Sequence, residues 1–191
     1  MSYFQTFRQL ISLPQRGARR IAGARRTLPS GHRSVALTFD DGPDPVFTPK
    51  ILDILDEHGV RATFFMVGSR ATRYPDLVRR VAEQGHAIGS HSATHPDMWT
   101  LSAYQAVVEY VTGRRMLESI LGRPVRLLRP PKSSIVPTQA IAMRALPVDP
   151  WLWSIDPRDW EPGATATSIV EAVGRPSDGD VIVLHDGMER P

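Results

Sequence analysis

The apolar run Val35-Ala36-Leu37 leads into Thr38-Phe39-Asp40-Asp41-Gly42-Pro43, so a strand-like stretch ends on two adjacent carboxylates and a Gly-Pro stop. Successive side chains on a strand point to opposite faces. Asp40 and Asp41 can therefore share one pocket only where the pleat gives way to a turn. Such a strand end would suit the edge of an active site, although taken alone it reads equally well as a solvated Asp-Asp-Gly turn.

At 191 residues the chain is long enough for one domain with a substantial core. It contains no cysteine, which excludes disulfides and thiolate metal sites. The net charge of +3 is unevenly spread: residues 1–33 hold seven arginines and no acid, so residues 34–191 sum to −4. The charge break marks 1–33 as a basic, flexible leader and 34–191 as the domain. Phe4, Phe7, Leu10 and Ile11 fall at helical spacing, so the leader could touch an anionic membrane surface. With no aromatic residue among the arginines of residues 14–33, nucleic acid is not expected as a partner. Neither a membrane span nor a cleaved secretory signal is legible.

After Pro43, helical and strand patterns alternate, as in an α/β layered or barrel domain. Thr48-Pro49 reads as a helix start, Val60 to Val67 as a strand, Pro75 to Gly85 as a helix, and His86 to Ser90 as a strand edge. Ser102-Ala103-Tyr104-Gln105 has capping-box spacing and opens a helix to about Leu121. Val125 to Leu128, Trp151 to Ile155 and Asp180 to Leu184 read as strands, with helices over Thr138 to Leu146 and Ser168 to Val173. Trp151 and Trp153, two apart, are expected to share one core face. Asp40 and Asp41, His91, Arg129, Asp156 and Asp159, and His185 each follow the carboxyl end of an expected strand. That is the edge where parallel α/β sheets build their sites.

His91-Ser92-Ala93-Thr94-His95 sets two imidazoles four apart, a spacing at which one helical turn presents both on one face. With one carboxylate they would make a three-ligand site with an open position, suited to catalytic zinc and equally to non-haem iron.

The stretches Thr38-Phe39-Asp40-Asp41-Gly42-Pro43, His91-Ser92-Ala93-Thr94-His95, Arg129-Pro130-Pro131, Asp156-Pro157-Arg158-Asp159-Trp160 and Leu184-His185-Asp186 occur in the order and approximate spacing of the polysaccharide deacetylase family, the NodB-like domain of carbohydrate esterase family 4. The resemblance spans roughly residues 34–187. It implies a distorted (β/α) TIM-like barrel and divalent-metal-dependent removal of acetyl groups from sugars. Zinc comes first as the cofactor, with cobalt, nickel, manganese or iron also open. By position, Asp41, His91 and His95 would hold the metal, and Asp40 would act as general base. His185 would be the general acid, with Arg129 supporting Asp40 and Asp159 supporting His185. The Lys132 N–H would stabilise an oxyanion, and Trp160 and Val183 would line the acetyl slot.

The sequence departs from the family pattern in three ways. Lys132 replaces the usual aromatic after the proline pair, Val183 replaces leucine, and the chain stops at Pro191. The short end implies a barrel lacking its last helix and strand, with a sheet edge left exposed. The expected function is N-deacetylation of an amino sugar in a glycan such as peptidoglycan or a chitin-like oligomer. The alternatives are an O-acetyl xylan esterase using the same site and a non-catalytic carbohydrate-binding remnant. The resemblance favours the cell envelope, while the missing signal leaves the cytoplasm open.

Overall fold

The computed structural model of the protein describes residues 17–31 and 33–187. Strands β1 (Ala36–Asp40), β2 (Thr63–Met66), β3 (Ala87–Ser90), β4 (Leu127–Leu128), β5 (Asp149–Pro150) and β6 (Val181–His185) form one sheet in the order β5-β4-β3-β2-β1-β6. Every pairing is parallel. The connections carry helices α1 (Phe47–Glu57), α2 (Gly68–Arg73), α3 (Pro75–Glu83), α4 (Ala103–Leu121), α5 (Pro137–Arg144) and α6 (Ala166–Val173). The sheet curls into a half-barrel with helices outside it, a distorted (β/α) barrel.

Alternation along the strands divides the core. Phe39 faces outward and stacks on Phe64, their ring centroids 5.1 Å apart, in a layer with Leu52, Val78, Val81, Ile88 and Leu117. Burying each of these large side chains contributes about 1.5–3 kcal/mol. Thr38 and Asp40 face the other way, into the barrel, where both meet the Arg129 guanidinium.

Capping follows the sequence for α4: Ser102 and Gln105 form the capping box, and Gly122 ends the helix with φ +65°. It differs for α1. Asp44, not Thr48, caps the first turn by accepting the N–H groups of Val46 and Phe47, while Thr48 is buried inside the helix and donates its hydroxyl to Asp186. Helix α2 has no signal in the sequence. At six residues it is too short to show a hydrophobic period.

The strand expected at Trp151 to Ile155 lies earlier, at Asp149–Pro150, because β4 ends at Leu128 and offers no partner beyond it. Residues 151–155 instead cross toward β6, where the Ser154 N–H donates to the Val181 carbonyl at 3.0 Å and the Val183 N–H donates to the Ile155 carbonyl at 3.1 Å. The outer edge of β6, expected to lie open, is thus covered over this stretch, and Val181 and Val183 are buried.

The basic segment meets the domain from residue 17 onward. Residues 17–22 are helical and bury Ala18 and Ala22 against Met98, Tyr110, Ile135 and Leu152. Next, the Arg25 N–H donates to the Pro150 carbonyl, Leu152 donates back to Arg25, and the Leu28 N–H donates to the Gly179 carbonyl. Residues 25–28 therefore staple the start of β6 to the end of β5. The amphipathic spacing of Phe4 to Ile11 lies outside the described residues. Among the described residues no helix is long and apolar enough to cross a membrane.

Candidate metal centre and active site

The end of β1 solves the problem posed by its two carboxylates. Asp40 continues the pleat and points into the barrel, while Asp41 adopts φ +73°, a left-handed conformation that swings its side chain to the same side. Gly42 follows because the Asp186 carboxylate occupies the space a Cβ would need. The Gly42 N–H donates to that carboxylate at 3.1 Å. Burial, with the nearby charges of Asp40 and Asp41, lifts the Asp186 pKa to about 7 against its hydrogen bonds from Thr48 and Gly42. Arg70 donates to the Asp41 carbonyl at 3.0 Å and fixes the turn from the other side.

The two histidines converge, but not through a helical turn. Residues 91–95 form a loop with left-handed backbone at Ser92, φ +67°, and His95, φ +59°, and Ser92 Oγ accepts the His95 N–H. His91 Nε2 stands 3.3 Å and His95 Nε2 3.2 Å from Asp41 Oδ1. His91 Nδ1 donates to the Arg129 carbonyl at 2.7 Å, which leaves Nε2 to face the carboxylate.

Arg129 is fully buried behind Asp40. Its Nη1 lies 2.6 Å from Asp40 Oδ1 and 2.8 Å from Thr38 Oγ1, Nη2 donates to the Leu152 carbonyl, and the guanidinium carbon sits 4.1 Å from the centroid of the Phe65 ring. Burial draws the Arg129 pKa down, and Asp40 opposes it. Hydrogen bonds from both terminal nitrogens and the carboxylate partner make such burial tolerable, although Arg129 Nε has no hydrogen-bond partner.

At the end of β6, Asp159 grips His185 twice, accepting from the backbone N–H and from Nδ1, both at 2.7 Å. Burial opposes the imidazolium, but the Asp159 hydrogen bond and the charges of Asp159, Asp40 and Asp41 outweigh it and raise the pKa to about 9. Burial likewise works against the Asp41 charge. The His91 hydrogen bond and the charges of His91, His95 and His185 overcome it and hold that carboxyl at about 2.

Asp40, Asp41, His91, His95, Lys132, Asp156, Trp160 and His185 line one cleft of about 460 Å³, with Arg129 and Asp159 behind its wall. Val183 is not on that wall. It is fully buried within β6 beside Thr38. Trp153, expected in the core with Trp151, lines the cleft instead. The two tryptophans part because residues 151–155 are not a regular strand, and Trp151 lines a separate cavity of about 90 Å³ at the Leu28 and Val181 level. Thr38, Phe65, Arg70 and Asp186 also shape the site. Of these, Thr38 and Asp186 carry a signal in the sequence, as members of the first and last of the stretches quoted above.

The donor set fits a cation. One ligand atom each from Asp41, His91 and His95 lies within 4.8 Å of the others. Three lone-pair donors pointing at one spot repel unless positive charge sits among them. The upward push that Asp40 and Asp41 exert on the His91 pKa, against the effect of burial, expresses the same demand. Two imidazoles and one carboxylate oxygen suit zinc and several other divalent transition metals.

The family model described as polysaccharide deacetylase matches residues 27–151. A chitooligosaccharide deacetylase of Sinorhizobium fredii is 41% identical over 172 residues, covering 85% of this chain and 77% of its own length. A peptidoglycan-N-acetylglucosamine deacetylase of Bacillus cereus is 38% identical over 161 residues, covering 82% of this chain and 57% of its own length. Among solved structures, the peptidoglycan deacetylase PdaC from Bacillus subtilis aligns with a TM-score of 0.75 at 36% identity, over 83% of this chain and 77% of that one.

Proposed function

The chain belongs to the polysaccharide deacetylase family, and on that premise we propose that it is a divalent-cation-dependent hydrolase removing the N-acetyl group from an amino sugar within a glycan. The observation that carries the reading is the convergence of Asp41, His91 and His95 in the same cleft as an arginine-paired Asp40 and an aspartate-paired His185.

Asp41, His91 and His95 would hold the cation. When bound, it supplies Lewis acidity and makes water a better nucleophile at neutral pH. Asp40, paired with Arg129, accepts a proton as the water oxygen attacks the acetyl carbonyl. The Lys132 N–H donates to the oxygen on which negative charge develops. His185, held as an imidazolium by Asp159, gives its proton to the sugar nitrogen as the C–N bond breaks. Acetate and a free amine leave. Trp153 and Trp160 present apolar surface to the sugar and its acetyl methyl.

The test is acetate release from N-acetylglucosamine oligomers and from acetylated xylan, each with and without a chelator. Acetate and new amines from the oligomers, lost with chelator and restored by zinc or cobalt, are expected. Release from xylan alone would overturn the amide reading. Glycan binding that ignores chelator, with no acetate from either substrate, would leave a carbohydrate-binding module.

A further inference from the structure

Two of the three candidate cation ligands sit on the loop of residues 91–95, and that loop is gripped from outside the barrel. Helix α2 supplies the Gly68 and Ser69 N–H groups to the Ser92 and Ala93 carbonyls at 3.0 and 2.8 Å. The opposing N–H groups point at α4. Glu109 Oε2 accepts from Ala93 and Thr94 at 3.0 and 2.9 Å, and Oε1 accepts the Thr94 hydroxyl at 3.0 Å. One turn further along the same helix face, Gly113 lets the loop in: a Cβ there would overlap the Ser92 carbonyl and lie 2.7 Å from the Ala93 nitrogen. Partners on α2 and α4 thus hold both sides of the loop backbone.

We propose that Glu109 is a positioning residue for the His91–His95 pair, its carboxylate holding the loop in the left-handed conformations at Ser92 and His95 that turn both imidazoles onto Asp41. The inference rests on the cation site described above. Neither Ser92 nor His95 has a glycine's freedom at positive φ, so the conformation must be imposed by neighbours. Among the described residues, such neighbours include the α2 N–H groups, the Ser92 hydroxyl and Glu109. Of these, Glu109 alone bonds to both Ala93 and Thr94.

The experiment is cation affinity rather than turnover. Metal-free full-length protein is titrated with cobalt, followed by its visible absorption, and with zinc in competition with a chelating dye, for the unaltered chain, Glu109→Ala, Glu109→Gln and Thr94→Val. Melting temperatures of the metal-free proteins are recorded alongside. Glu109→Ala should weaken zinc binding about tenfold, in the range seen when groups that orient metal ligands are removed. Glu109→Gln should stay within about threefold of the parent, because its amide oxygen can accept the two backbone N–H groups while its NH2 donates to the Thr94 hydroxyl. Thr94→Val, an exposed position that loses one Glu109 bond, should weaken binding by about two- to threefold and decides the matter if Glu109→Ala does not fold. Unchanged affinity in Glu109→Ala or Thr94→Val overturns the inference. A Glu109→Gln loss as large as that of Glu109→Ala also overturns it, since charge and not loop geometry would then be responsible. Failure of the unaltered chain to bind either cation would instead overturn the cation-site reading.

Discussion

Arg129 Nη1 lies 2.6 Å from Asp40 Oδ1 with neither side chain more than 2% exposed, so each charge depends on the other. Replacing Arg129 by Met would leave a carboxylate unpaired inside the barrel, at a cost of about 3–5 kcal/mol. Denaturant unfolding of Arg129→Met should show that loss, and adding Asp40→Asn should recover part of the stability while acetate release stays absent. Equal stability of the single and double variants would show that the pair is not coupled.

His185 should set the alkaline limb of the pH–rate profile. Its pKa is raised to about 9, chiefly by Asp159 against the effect of burial, so the protonated acid persists through neutral pH and activity should fall as pH passes about 9. Asp159→Asn removes the charge that raises it. The limb should move down toward the ordinary histidine range, seen as a leftward shift in the profile of kcat/KM. Stability carries the same sign: the Asp159 contribution is fully present below the unfolded pKa and fades as pH rises through about 9.

A cation that binds only the folded chain must raise its melting temperature. At a concentration one hundred times Kd the gain is about 2.7 kcal/mol. Zinc should therefore raise the melting temperature of the parent but not of Asp41→Ala, which lacks the carboxylate shared by both imidazoles. Calorimetric scans of the two proteins, with zinc and with chelator, check this without any substrate.

The segment that looks like a leader should prove part of the domain. Ala18 is fully buried against cluster partners that include Met98 and Leu152, so Ala18→Glu would force a charge into apolar packing and cost several kcal/mol, on the order of 3 or more. Removing residues 1–28 should lower the melting temperature of the domain sharply. Thermal melts of the parent, Ala18→Glu and the shortened chain compare them directly.

Trp153 offers a separation of binding from chemistry. It lines the cleft without reaching the proton-transfer groups by any hydrogen bond of its ring, and its carbonyl is tethered by Arg26 Nε at 2.9 Å. Trp153→Ala should raise KM for glycan oligomers by about tenfold, the worth of one lost apolar contact surface, with kcat changed far less. Steady-state kinetics on oligomers long enough to fill the cleft would show the split.

The sequence revealed the barrel because the alternation of apolar runs, caps and glycine stops is local, and local patterns set β1, β2, β3, β6 and α4. It also showed where the polar residues gather, at the carboxyl ends of those strands. What it hid was backbone sign. Asp41, Ser92 and His95 all take positive φ without being glycine, so neither the sharing of a pocket by Asp40 and Asp41 nor the loop that joins His91 to His95 could be derived from periodicity. The i, i+4 histidine spacing pointed to a helical turn, whereas hydrogen bonding from α2 and α4 imposes a loop. Within residues 17–28, Arg19, Arg20, Arg25 and Arg26 dominate the composition and mask Ala18 and Ala22, four apart, whose small side chains allow that segment to lie close against α4 and α5.

The pairing of β6 with β1 joins positions nearly 150 apart in the chain, from Ala36 with Val181 to Asp40 with His185. The three candidate cation ligands all occur by residue 95, yet the imidazole proposed to protonate the leaving nitrogen docks only with this late strand. The proposed cation site and the proposed acid thus come from opposite ends of the sequence, and only the closure of β6 on β1 brings them to one cleft.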